Sequence, residues 1–143
     1  MSDVMVICNR LLVLLDYYRE FQESAQGLTL ETYTSDRGQR RIIERLTQLI
    51  VECSTDINNM ILKYLHKSPA TDYFNSFLDL AENGVIDLDF ALAIAPSTGL
   101  RNILVHEYAK IDDVIVFHSI NNTLEQYGRY LQDIATYLEC EME

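Results

Sequence analysis

Eight residues, Arg101 to Tyr108, gather a guanidinium, a carboxamide, an imidazole and a phenol in an otherwise apolar segment. Arg101 can grip a phosphate through parallel, charge-assisted N–H bonds. The imidazole of His106 can take or give a proton at a ribose oxygen. The Asn102 amide can bond one imidazole nitrogen and so fix the role of the other, while Tyr108 can accept a covalent group. The set suits metal-free RNA cleavage. An imidazole abstracts the 2′-hydroxyl proton or protonates the leaving oxygen, and a guanidinium meets the charge that builds on the phosphate.

Helical geometry constrains that reading. Asn102 and His106, four apart, share a face, and Arg101 and Tyr108, seven apart, would share one if the helix continued. Arg101 and His106 are five apart, roughly 140° around the axis at about 100° per residue. A straight helix does not aim both at one small target. Long side chains, a helix ending near His106, or a second copy of the site across a dimer would resolve the mismatch. A structural role stays open beside the chemical one: Arg and His near a helix C-terminus can satisfy its last carbonyls and its dipole.

Other residues carry two readings each. Arg37, Arg40, Arg41 and Arg45 form the only basic cluster, either lining an RNA cleft or facing solvent. Tyr17 and Tyr18 could stack bases, but Tyr18 also fits a core stripe. His66 and His118 lack companions at metal-ligand spacing and read as surface or capping residues. Glu107 could tune His106 or stand as an exposed acid. Asp87 and Asp89 resemble a carboxylate pair, yet capping accounts for Asp87. No phosphate-cradling glycine loop or zinc-protease pattern occurs, and the sequence implies no metal and no cofactor.

Helical periodicity supplies the scaffold for these side chains. A first helix spans about residues 2–25, with Ile7, Leu11, Leu14, Leu15, Tyr18 and Phe21 on one stripe and Gly27 at its end. Residues 27–37 read as a polar connection. A second helix spans about 38–65, facing the core with Ile42, Leu46, Leu49, Ile50, Cys53, Ile57, Met60, Ile61 and Tyr64 before Ser68-Pro69. A shorter helix carries Tyr73, Phe74, Phe77, Leu78 and Ala81 and stops at Asn83-Gly84. A fourth runs from the cap Asp87 through Pro96 to about His106, with a kink or a brief interruption at Pro96. Asp112 or Asp113 caps a fifth, packed through Phe117, Ile120, Leu124, Tyr127, Leu131, Ile134 and Leu138. The expected fold is all-α: an antiparallel bundle of about five helices forming a single domain over residues 1–143.

Composition bounds the functional classes. The chain has 11 basic and 22 acidic residues and a net charge of −11; residues 72–143 hold three Lys/Arg against 13 Asp/Glu. Such a chain repels nucleic acid at long range, so any RNA contact must be local. Cys8, Cys53 and Cys140 are odd in number and widely spaced, and read as buried thiols of a reducing, cytoplasmic setting. The N-terminus shows no signal-peptide pattern, and no segment is expected to reach the roughly 18 apolar residues of a membrane span.

The segment from Asp87 to Ile120 resembles the HepT toxins of the HEPN superfamily. It centres on the run from Ala95 to Tyr108 and continues through Ile111-Asp112. The family signature is Arg, a polar residue, three more positions, His, one residue and Tyr; Arg101, Asn102, His106 and Tyr108 match it without departure. The rest of the chain agrees in length and helix order. The resemblance implies a dimeric helical bundle in which two motif copies share a cleft. It further implies a metal-independent endoribonuclease, the toxin of a type VII toxin–antitoxin module. Its implied partners are RNA, a second copy of the chain and a nucleotidyltransferase antitoxin of the MntA type, in a homodimer or a larger hetero-oligomer with the antitoxin. On that basis Arg101 and His106 are catalytic, Asn102 supports them, and Tyr108 is the site of AMPylation. AMP there would add bulk and negative charge beside a site meant for phosphate.

Two other classes stand against this one. A non-catalytic helical partner would use the Tyr108 region only as a docking or modification surface, as the acidic balance favours. A nucleotide-binding accessory subunit would use Arg101 to hold ATP phosphate.

Overall fold

A computed structural model describes residues 2–142. Among them are α1 (Asp3–Ala25), α2 (Leu30–Ser35), α3 (Arg37–Tyr64), α4 (Tyr73–Glu82), α5 (Leu88–Ile94), α6 (Ser97–His106), a 3-10 turn at Tyr108–Lys110 and α7 (Asp113–Leu138). The all-helical expectation holds, and the described residues contain no strand. α3 is the central element: α1, α2, α4, α6 and α7 all pack on it.

The helix starts follow from side-chain chemistry. Ser2, Asp36, Asp72 and Asp112 each accept a first-turn backbone N–H, of Met5, Gln39, Asn75 and both Val114 and Ile115 respectively. Gly27 and Gly84 take positive φ just past α1 and α4. Apolar stripes then join the helices. Ile7, Leu11, Leu14 and Phe21 of α1 are fully buried, with Ile50, Ile57 and Ile61 of α3 and Tyr127 and Ile134 of α7. Each such side chain contributes about 1.5–3 kcal/mol. An exposed ion pair gives about 0–1 kcal/mol, so apolar packing holds the bundle. Gly128 lets α7 come close to α1, because a Cβ there would sit 2.8 Å from the Tyr18 hydroxyl. That hydroxyl donates to the Leu124 carbonyl at 2.8 Å, which gives Tyr18 a packing role.

The structure corrects several sequence expectations. Residues 27–37 are not merely a connection. A reciprocal Thr29–Thr32 capping box starts α2, which buries Tyr33 against Phe117 at 5.8 Å between ring centroids. The break expected at Pro96 is found, and it divides the fourth helix into α5 and α6 at Ala95-Pro96, because Pro96 has no N–H to continue the ladder. Asp87 stands at the α5 N-cap position without capping, since its carboxylate turns to Arg129 at 3.2 Å. Ile42, Tyr64 and Phe74 are exposed; Ile43, Leu62 and Ser76 fill the corresponding inner positions instead.

The cysteine expectation is also overturned. Cys8 and Cys140 form a disulfide across 132 residues of sequence, and only Cys53 is a buried free thiol. α1 packs along α7, and the left-handed Glu139 at the end of α7 turns Cys140 toward it. Sequence spacing cannot register a pairing made by packing. Finally, Leu88–His106 is long and apolar enough to cross a membrane by length and composition alone, contrary to the sequence expectation. In the fold it is two helices packed on α3, α4 and α7.

Candidate functional site

Three contacts fix α6, the helix that carries the motif. The Tyr127 hydroxyl and Ser97 Oγ share a 2.6 Å hydrogen bond at its first turn. Leu104 is buried in its last. Gln48 Nε2 of α3 donates to the Leu104 carbonyl at 3.4 Å, serving a backbone acceptor that the helix end leaves unpaired.

Arg101 lies against α3. Its Nε and Nη2 both donate to Glu52 Oε2, at 2.9 and 2.8 Å, and its guanidinium stands 4.8 Å from the centre of the Tyr73 ring. The Arg101 side chain is 15% exposed and that of Glu52 31%. Its remaining nitrogen, Nη1, donates to Asn102 Oδ1 at 3.2 Å on the exposed side. The guanidinium is therefore anchored along one edge and open along another.

Asn102 does not orient His106, as helical spacing suggested. Its oxygen accepts from Arg101, because a fixed cationic donor outcompetes a neutral imidazole for a carbonyl. His106, the last residue of α6, is exposed and makes no side-chain hydrogen bond among the described residues. Neither Arg101 nor His106 caps a carbonyl of α6; Gln48 does. The structural role left open by the sequence is thus filled by another residue.

The helix ends at His106, and Glu107, with φ −130° and ψ 44°, turns the chain out of it. Tyr108 consequently does not return to the face of Arg101. It sits in the 3-10 turn, 58% exposed. Glu107 pairs with Lys110 at 3.2 Å. Tyr108 walls a cleft of about 360 Å³ with Arg37, Arg40, Arg41, Glu44, Ile111 and Asp113. Three of the four arginines in the basic cluster thus meet the motif tyrosine, while Arg45 turns to Gln48 at 3.1 Å.

Electrostatics in the cleft are mixed. Arg40 Nε pairs with Asp113 Oδ2 at 3.4 Å, and its Nη1 donates to the Thr34 carbonyl. Glu44 is almost fully buried; burial pushes its carboxyl up, as does Asp113, while the Tyr108 phenol, Arg40 and Arg41 pull it down. Sequence reasoning missed Glu52, Glu44 and Asp113, for which no local spacing gives a signal, since each gains its meaning from a partner on another element. Larger cavities of about 1180 and 950 Å³, lined mainly from α1 with α7 and from α1 with α3, contain none of the motif residues.

Comparison with known proteins agrees with this architecture. A family model described as Ribonuclease HepT-like matches residues 14–134. The chain is 38% identical over 133 residues to the tRNA nuclease HepT of Aphanizomenon flos-aquae, covering 93% of this chain and 90% of that protein. It is 30% identical over 87 residues to the mRNA nuclease HepT of Shewanella oneidensis, covering 61% and 65% respectively. In fold it is similar to a tri-AMPylated HEPN toxin of Shewanella oneidensis solved in complex with an MNT antitoxin. There the TM-score is 0.81 and the identity 24%, covering 95% of this chain and 99% of that one.

Proposed function

Because the chain belongs to the Ribonuclease HepT-like family, we propose that it is an RNA-cleaving toxin, silenced when an MNT-type nucleotidyltransferase attaches AMP to Tyr108. The observation that carries this reading is the state of the motif at the end of α6. Arg101 is held by Glu52 with one edge open, and His106 stands free in solvent five residues further along α6. The nuclease names of the similar proteins and the AMPylated state of the solved toxin support it.

The reaction uses groups on this chain and no metal. His106 takes the proton from a ribose 2′-hydroxyl, or in its charged form protonates the 5′-oxygen that leaves. The 2′-oxygen attacks the adjacent phosphorus, the bond to the 5′-oxygen breaks, and the open edge of Arg101 binds the charge that gathers on the phosphate. Asn102 holds that edge through Arg101 Nη1. Both proton roles at once require a second imidazole, which a dimer supplies. Val105, Val114 and Ile115, at 38%, 44% and 62% exposure, give the motif an apolar border suited to a second copy.

The test is cleavage of cellular RNA by purified, unmodified protein in EDTA. Wild type is expected to cleave and His106→Ala to lose activity by about 10²–10⁴-fold while keeping its fold. Equal cleavage by the variant would remove His106 from the mechanism. Absence of cleavage by the wild type would favour the non-catalytic partner, the reading that the net charge of −11 and the exposure of Tyr108 support.

A further inference from the structure

We propose that the cleft at the start of α3, walled by Arg37, Arg40, Arg41 and Tyr108, is an anion site that receives the phosphodiester of AMP once it is joined to the Tyr108 phenol. This inference rests on the reading of Tyr108 as the modified residue and adds where the modification goes.

The charges in the cleft point to such a ligand. Arg40 is occupied by Asp113 and by backbone carbonyls. Arg37 and Arg41 are exposed and form no ion pair among the described residues. Against the three guanidinium groups stand two carboxyls, Glu44 and Asp113. The guanidinium groups outnumber the carboxyls even with both carboxyls ionised, which leaves a positive surplus for an anion such as a phosphodiester. Guanidinium groups meet phosphate oxygens through paired, charge-assisted hydrogen bonds, and two lie unused beside the phenol. The burial of Glu44, which favours its neutral form, lessens the repulsion an incoming phosphate would meet.

The modification balances as a simple substitution. The Tyr108 oxygen attacks the α-phosphorus of ATP, the oxygen–phosphorus bond forms, and the bond from the α-phosphorus to the bridging oxygen breaks. Pyrophosphate leaves and the phenolic proton passes to solvent. The product carries one negative charge directly on the wall of the cleft. Held by Arg37 and Arg41, the adenosine stays near the end of α6 instead of swinging free.

The experiment compares wild type with the double variant Arg37→Gln, Arg41→Gln. Each is modified to completion by an MNT-type nucleotidyltransferase and ATP, as read by the mass of the Tyr108 peptide, and then exposed to a phosphodiesterase. AMP is expected to leave the variant roughly tenfold faster than the wild type, because two charge-assisted contacts no longer shield it. If the double variant escapes modification, the comparison is made with Arg37→Gln alone, with the same expectation. Equal release rates on modified Tyr108 overturn the anion site and leave the tyrosine reading intact. Failure of the wild type to gain AMP on Tyr108 overturns both. Equal release together with reduced RNA cleavage by the unmodified variant assigns the cleft to RNA instead.

Discussion

Two polar regions of this protein meet α3, and they are built in opposite ways. In the interior, the Tyr130 hydroxyl donates to Asn58 Oδ1 at 2.6 Å, Asn58 Nδ2 donates to Ser76 Oγ at 2.9 Å, and Ser76 Oγ donates to the Tyr73 carbonyl at 2.7 Å. All three side chains are fully buried and each is paired. At the end of α6, Arg101 is held by Glu52 along one edge and meets only the exposed Asn102 along the other, and His106 and Tyr108 face solvent. A buried polar group left without a partner costs about 1–3 kcal/mol, so the interior set must close on itself. The motif avoids that cost by exposure, which leaves its donors and acceptors available to a substrate. Burial also pushes the Tyr130 phenol far up and the Tyr127 phenol up to about 12, which disfavours the ionised form of both.

The sharpest way to separate the two regions is Arg101→Lys. The charge remains, but one ammonium cannot hold Glu52 with two nitrogens and present a third to a phosphate. RNA cleavage is expected to fall by about 10²-fold or more, the scale of losing one transition-state donor. The melting temperature is expected to change little, because a partly exposed ion pair adds about 0–1 kcal/mol. A variant that unfolds but retains specific activity would assign Arg101 to the scaffold.

The reverse pattern is expected for Asn58→Ala. Ser76 loses its donor and Tyr130 its shorter acceptor, keeping only the Ser54 carbonyl at 3.1 Å. Unfolding in urea should show a loss of about 2 kcal/mol, with cleavage per folded molecule unchanged. A loss of cleavage without loss of stability would break the division between the two regions.

The same division separates what the sequence could disclose from what it could not. Helix existence was legible because apolar periodicity, the cap Asp112, and Gly27 and Gly84 all act within a few residues. Arg101, Asn102, His106 and Tyr108 were legible as a group because they fall in one short run. Their partners were not. Glu52 lies 49 residues from Arg101, and the Cys8–Cys140 bond spans 132. The basic cluster was visible as composition, but only the turn after Glu107 shows that it faces Tyr108. α2 escaped notice because its one buried aromatic, Tyr33, gives no period to read.

Glu52→Gln probes the seam between the regions, where the scaffold grips the motif. Glutamine keeps an oxygen acceptor for Arg101 but removes the charge that holds it. Cleavage is expected to fall roughly tenfold, corresponding to about 1.4 kcal/mol, and to recover in Glu52→Asp only if the shorter chain still reaches the guanidinium. A cleavage rate equal to wild type in Glu52→Gln would show that Arg101 is positioned by Tyr73 and packing alone.

The smallest effect concerns Glu44, which belongs to both regions, being buried like Tyr130 yet facing the cleft of Tyr108. Burial raises its carboxyl above the usual range, Asp113 adds to this, and the Tyr108 phenol, Arg40 and Arg41 oppose it. A carboxyl raised in the folded state favours folding when protonated. That contribution is complete below the unfolded carboxylate range and is lost as pH rises through the raised folded value. Glutamine imitates the protonated form at every pH. Glu44→Gln should therefore melt slightly higher than wild type at neutral pH, and the gain should shrink as pH falls into the carboxylate range. A gain that is the same at both pH values would trace to packing, and a loss at neutral pH would mean that the arginines outweigh burial. In that last case Glu44 would be a charged partner of the cleft, and the positive surplus awaiting a phosphate would be smaller.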